Sequence, residues 1–218
     1  MAARRDYFDG CGAAHALDLV GERWALLVVR ELVLGPKRFT DLRAGLPHAS
    51  PNVLSQRLRE LEDAGVLQRR RLPPPAASAV YELTAWGQEL EPVLQALGRW
   101  AARALPESDG IKVDSFILSL RTLFVPERVA DVDVTLQLVL DDQPFRMHLA
   151  HGALDVERGE AADADVTVRC SATTLARVVH MGWPVADAEA EGLLVLSGDV
   201  AALNHLVDAV QMPAPLPA

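Results

Sequence analysis

Sixteen residues, Ser50-Pro-Asn-Val-Leu-Ser-Gln-Arg-Leu-Arg-Glu-Leu-Glu-Asp-Ala-Gly65, decide how this chain is read. Ser50 offers a side-chain oxygen to an orphan backbone N–H, and Pro51 suits the first helical position because no N–H is needed there. Gly65 is a natural left-handed stop. At 100° per residue Leu54, Leu58 and Leu61 share one stripe, which predicts the buried face of a helix running to about Ala64. Asn52, Gln56 and Arg59 fall opposite, with Ser55 at the flank. Their amides match adenine edges and the guanidinium matches guanine. No acid occurs from Ser50 to Arg59, whereas Glu60 and Glu62 stand in the C-terminal half. That asymmetry suits a helix entering a major groove by its N-terminus. A polar face is common to all amphipathic surface helices, so the flanking sequence has to decide.

Upstream, Ala13 to Leu34 reads as helical, divided at Gly21 and stopped at Gly35-Pro36. Thr40 is placed to cap a short helix from Asp41 to Ala44, with Lys37, Arg38 and Arg43 adding positive charge. Downstream, Val66–Leu72 and Ala79–Leu83 read as a hairpin around Pro73-Pro74-Pro75. Arg69, Arg70 and Arg71 lie on its first arm, a position from which a wing reaches phosphate or a minor groove. A long helix from Thr84 to about Ala104 follows, bent at Pro92, with an apolar stripe through Leu90, Val93, Leu94, Leu97, Trp100 and Ala101. Three helices and a basic hairpin form the order of a winged helix-turn-helix, mainly α. Double-stranded DNA is the expected partner.

The composition of the 218 residues, 50% hydrophobic and 23% charged, fits two globular domains and excludes bulk disorder. Two cysteines exclude a disulfide scaffold, no apolar stretch approaches the roughly 20 residues of a membrane helix, and no secretory signal opens the chain. A cytoplasmic setting without membrane attachment is expected. The net charge of −9 conceals a division. Residues 1–105 carry 14 Lys and Arg against 12 Asp and Glu, and residues 106–218 carry 7 against 18. The acidic half is unsuited to phosphate, so the halves are expected to have different partners. The domains predicted are 1–105, a linker at 106–110, an α+β domain at 111–211, and a flexible Pro-rich tail at 212–218. In the second domain, alternating segments at 132–140, 145–150, 153–157 and 166–170 read as strands among helices at 113–124, 171–180 and 201–210.

Asp18-Leu-Val-Gly-Glu-Arg-Trp24, Arg30-Glu-Leu-Val-Leu-Gly-Pro-Lys-Arg-Phe39, the Ser50–Leu61 stretch and Tyr81-Glu-Leu-Thr-Ala-Trp-Gly87, in this order after Cys11, resemble the HxlR-type winged-helix transcriptional regulators. The resemblance covers about residues 8–104. It implies a homodimer on an inverted-repeat operator, with the helix from Ser50 in the major groove and the dimer built by the N-terminal segment and the helix through Trp100. For Cys11 it implies a candidate redox role, although Cys11-Gly12 stands where many relatives have Cys-Pro.

Val134–Asp142, Gly152–Gly159, Asp163–Val168 and Gly192–Asp199 resemble a sterol carrier protein-like (SCP2-like) domain. That resemblance implies an apolar tunnel holding a small apolar ligand, with Phe116, Leu120, Phe124, Phe145, Met147, Met181 and Trp183 as lining candidates; for any one of them taken singly, simple core is the favoured reading. No phosphate loop, hydrolase elbow or metal-ligand spacing occurs, so no enzyme activity, cofactor or metal is expected. Three functions remain open: ligand-gated regulation, regulation with a ligand-free dimerisation or docking module, and, as an outlier, a lipid carrier or an enzyme on apolar substrates with a vestigial winged helix.

Overall fold

The computed structural model describes residues 6–74, 77–105 and 110–216. They divide into two compact units, 1–94 and 95–218. The division falls inside a helix. Most of the expected linker, 106–109, lies outside the described residues.

The first unit opens with α1 (Gly12–Val20) and α2 (Ala25–Leu32), separated at Gly21. Next come α3 (Phe39–Gly45) and α4 (Pro51–Asp63). Arg38, not Thr40, caps α3: the Asp41 carboxylate accepts from the Arg38 N–H at 3.1 Å and turns the chain one residue earlier. Ser50 Oγ accepts from the Val53 N–H at 3.3 Å, and Gly65 takes φ +75° after the last turn of α4. Leu54, Leu58 and Leu61 are at most 1% exposed and pack with Val28, Val29 and Leu32 of α2 and Leu42 of α3.

β1 (Leu67–Arg71) and β2 (Ala79–Leu83) form the antiparallel wing, pairing Leu67 with Leu83 and Arg71 with Ala79. A backbone bridge from Lys37 to Tyr81 ties the segment before α3 to this hairpin. The long helix expected from Thr84 is two helices, α5 (Ala85–Gln88) and α6 (Leu90–Ala101). Pro92 has no N–H for the Gln88 carbonyl and its ring clashes there, so the break falls before proline and α6 starts afresh. Gly87 lies so close to the Val66 carbonyl that a Cβ would stand 1.9 Å from its oxygen.

The second unit carries α7 (Val113–Leu123), β3 (Asp133–Leu140), β4 (Gln143–Ala150), β5 (Ala153–Arg158) and β6 (Val166–Cys170). It ends with α8 (Ala172–Met181), α9 (Val185–Ala190), β7 (Leu194–Gly198) and α10 (Val200–Ala209). The sheet runs β5-β4-β3-β6-β7, antiparallel throughout except for β3 with β6. Positive φ at Asp141-Asp142 and at His151-Gly152 marks two tight hairpin turns. Leu136, Leu138 and Leu140 fill one face of β3. Gln137, on the face the alternation made polar, is also buried; its amide donates to the Phe145 carbonyl at 3.1 Å and accepts from the Ala161 N–H, holding a loop over that face.

Among the described residues the tail is held rather than loose. Gln211 N–H donates to the Leu123 carbonyl, Leu216 N–H to the Arg103 carbonyl, and Arg103 Nε to the Ala214 carbonyl. No helix among the described residues is long and apolar enough to cross a membrane.

Candidate nucleic-acid interface

α4 exposes Asn52 and Arg59 to solvent, with Ser55 and Gln56 half-buried between them. No hydrogen bond or ion pair among the described residues engages the side chains of Asn52 or Arg59. Gln56 is committed differently: its Nε2 donates to Glu60 Oε1 at 2.9 Å, one turn on. The other Glu60 oxygen meets Arg57 Nη1 at 2.5 Å, and Arg57 also reaches Glu22 at 3.5 Å. Glu60 therefore does not face phosphate as a bare carboxylate. Arg57 is one residue that sequence reasoning missed; 8% exposed, it belongs to the core side of the helix. Only the departure from apolar character along the leucine stripe signalled it.

A second buried cluster lies at the end of α2. Glu31 on α2 is 1% exposed and holds Arg30 Nη2 at 2.7 Å and Lys37 Nζ at 2.6 Å. Gly45, at the end of α3, leaves room for this carboxylate: a Cβ there would sit 2.2 Å from Glu31 Oε2. The pairing joins α2, the last residue of α3 and the segment that bridges to the wing. Two cations satisfy the carboxylate; with one removed, the remainder would be a costly buried charge.

The wing arginines are not equivalent. Arg70 is clamped by Glu82, with Nε at 2.8 Å and Nη2 at 2.7 Å from Oε2, and Gln68 adds a third bond to that carboxylate. The hydrogen bond from Arg70 holds the Glu82 carboxyl below the usual carboxylate range. Arg71 Nε donates to the Ala77 carbonyl at 3.2 Å, and Arg38 Nε to Ser78 Oγ at 3.0 Å. Arg69 is exposed with no partner among the described residues.

The apolar stripe of α6 is uncovered: Trp100 is 77% exposed, Val93 46% and Leu97 45%. Cys11 is exposed just before α1, where the N–H groups of Ala14 and Ala13 hold its thiol below its ordinary value. Burial pushes the Cys170 thiol the other way, up to about 12.

In the second unit Phe116, Leu120, Phe145 and Met147 are fully buried, and Phe116 packs its ring 5.6 Å from His180. Met181, expected in a tunnel, is instead 80% exposed, because the αL turn at Gly182 ends α8 beside it. Trp183 is half-buried under the Arg177 guanidinium, 3.7 Å from its ring centre. A surface hollow of about 190 Å³ includes Phe124 but none of the other six candidates. His180 Nε2 lies 3.2 Å from Ser119 Oγ, whose proton goes to the Phe116 carbonyl, so this pair has no base poised over a nucleophile. No metal-ligating cluster occurs among the described residues.

Comparison with known proteins divides the chain in the same sense. The HxlR-like helix-turn-helix family model matches residues 19–109, and the Alkyl sulfatase C-terminal model matches residues 125–216. The second match carries a family description other than the sterol carrier protein one that the sequence resembled. The chain is similar to the uncharacterized HTH-type transcriptional regulator YvaP of Bacillus subtilis, 39% identical over 43% of this chain and 86% of that protein. It is 34% identical to the HTH-type transcriptional regulator YodB of the same organism, over 45% of this chain and 86% of that protein; the solved structure of reduced YodB matches 45% of this chain and 98% of that structure, with a TM-score of 0.40. The family model over residues 19–109 and the sequence identity to YvaP over most of that protein have one reading: the chain belongs to the HxlR-like helix-turn-helix family of DNA-binding transcriptional regulators.

Proposed function

We propose that the protein binds an inverted-repeat operator as a homodimer and that its second unit holds a small apolar or amphiphilic ligand which alters that binding. The observation that carries the reading is the face of α4: Asn52 and Arg59 stand free and exposed, Ser55 lies between them, and the nearest acid, Glu60, is already paired. Asn52 and Arg59 read base edges. Gln56 joins them after exchanging its bond to Glu60 for one to a base. Arg69, Arg71 and Arg38 contact phosphate, with Arg70 a lesser contributor while Glu82 holds it. The bare stripe of α6 supports a two-fold partner, since large exposed apolar surface is costly for a monomer. An alkyl sulfate, the substrate that the family's description names, carries an anionic head on an alkyl chain, and the match to that family's C-terminal part favours an amphiphile for the second unit. Ligand control requires different affinities for DNA-competent and DNA-incompetent states.

Fluorescence anisotropy with operator and scrambled duplexes tests the reading. Specific binding with a steep salt dependence is expected; equal affinity for scrambled DNA, or binding independent of salt, refutes it. Arg59→Ala should erode operator preference, whereas Arg69→Ala should weaken all duplexes alike.

A second reading rests on Cys11. Exposure and a lowered thiol pKa favour oxidation there. Cys11→Ser would abolish an oxidant's effect on DNA affinity; an unchanged response removes this reading.

A further inference from the structure

We propose that the hollow beside Arg99 is a binding site for a medium-chain anionic amphiphile, a carboxylate or sulfate carrying an alkyl chain. The inference rests on the reading that the second unit holds a ligand, and it places that ligand on the surface of the unit, away from the packed aromatic core. The site lies wholly within residues 95–218. Its walls are apolar: Phe124, Val125, Met212 and Pro213. One cation opens onto them. Arg99 donates through Nε and Nη2 to the Thr122 carbonyl, at 3.1 and 2.8 Å, and no carboxylate among the described residues pairs with it.

Arg99 has no acidic partner among the described residues although its unit is acidic, with 18 Asp and Glu against 9 Lys and Arg over residues 95–218. The bonds to Thr122 satisfy one side of the guanidinium fork and fix its plane, which leaves Nη1 for an outside acceptor. A second arginine stands close by. Arg128 Nη2 donates to Gln211 Oε1 at 2.8 Å, Gln211 lines the hollow, and Arg128 Nη1 takes the Asp208 carbonyl at 3.1 Å. Two guanidiniums committed to neutral oxygens make a positive spot on an acidic unit, and apolar walls beside it select a head with a chain.

The backbone makes the hollow a built feature rather than a surface accident. Phe124 and Val210 form a β-bridge, reinforced by Val125 N–H to the Ala209 carbonyl and Gln211 N–H to the Leu123 carbonyl. The tail segment at 211–213 is thereby held against the end of α7. A volume of about 190 Å³ equals roughly six waters' share of liquid, enough for a head group and a short run of methylenes.

The test uses the full-length chain and four probes: octanoate, octyl sulfate, octanol and acetate. Calorimetry gives affinity, and amide chemical shifts give location. The expected result is that octanoate and octyl sulfate bind at least tenfold more tightly than octanol or acetate, with shifts concentrated at 123–125 and 211–213. Arg99→Gln should weaken octanoate at least tenfold. Met212→Glu, on the tail outside any helix, should do so by repulsion and is a control against misfolding of the Arg99 variant. Octanol binding as well as octanoate overturns the role of Arg99. Tight binding with shifts confined to the buried face of the sheet overturns the location while leaving a ligand-holding second unit intact. No binding by any probe overturns the proposal.

Discussion

Releasing Arg70 from Glu82 should strengthen DNA binding, and by an amount that depends on salt. In the free protein Glu82 holds Arg70 through bonds of 2.7 to 2.9 Å, so this arginine brings little net charge to a phosphate. Glu82→Gln keeps the shape and an acceptor for Gln68 but removes the charge. One additional phosphate contact steepens the slope of log affinity against log salt by about 0.9. Between 50 and 200 mM salt that contact is worth a factor of about 3.5, so the advantage of the variant should be about 3.5-fold larger at the lower concentration. Arg69→Ala, which removes an unpaired cation, should flatten the slope by about 0.9, and Arg70→Ala should barely change it. Anisotropy titrations at five salt concentrations measure all three. If Arg70→Ala flattens the slope as much as Arg69→Ala, or if Glu82→Gln leaves it unchanged, the pairing does not govern the wing.

Three further outcomes are expected. Burial lowers His180 to about 4 from an ordinary 6.5, so the unfolded second unit takes up this proton first. Stability is therefore full above pH 6.5 and falls as pH drops toward 4, by at most about 2 kcal/mol between pH 7.5 and pH 5 in urea titrations; His180→Gln should remove most of that dependence. Leu97→Glu with Trp100→Glu should turn a dimer into monomer in sedimentation, and a wild-type monomer would refute the role given to α6. Gly87→Ala should lower the melting temperature of the first unit, because its Cβ collides with backbone at Val66 rather than with a movable side chain.

What was legible came from local chemistry. The Ser50 cap, the Gly65 stop, the leucine stripe of α4 and the alternation of the strands each depend on neighbours in sequence. The Asn52 to Arg59 face followed because helical periodicity alone places it. The switch of cap from Thr40 to Arg38 was hidden because Asp41 served the neighbouring backbone N–H. The break before Pro92 was placed too late because a proline disturbs the carbonyl four residues earlier. Glu31 and Gln137 were silent, and Arg57 was marked only by its place beside the leucine stripe, since burial of a polar group depends on partners brought from other elements. Phe116, Phe145 and Met147 illustrate the same limit: composition marks them as apolar but does not distinguish a core from a guest's lining.

The Glu31 cluster has a consequence for how such a regulator is controlled. Its carboxylate is shared by cations from α2 and from the approach to the wing, in space left by a glycine of α3. Moving the approach to the wing against α2 would have to break a charge pair held largely away from water. The reading head is thus a solid tool that is cheap to carry and expensive to bend. An effector gains more by changing the stance of two such heads, one against the other along the duplex, than by reshaping either.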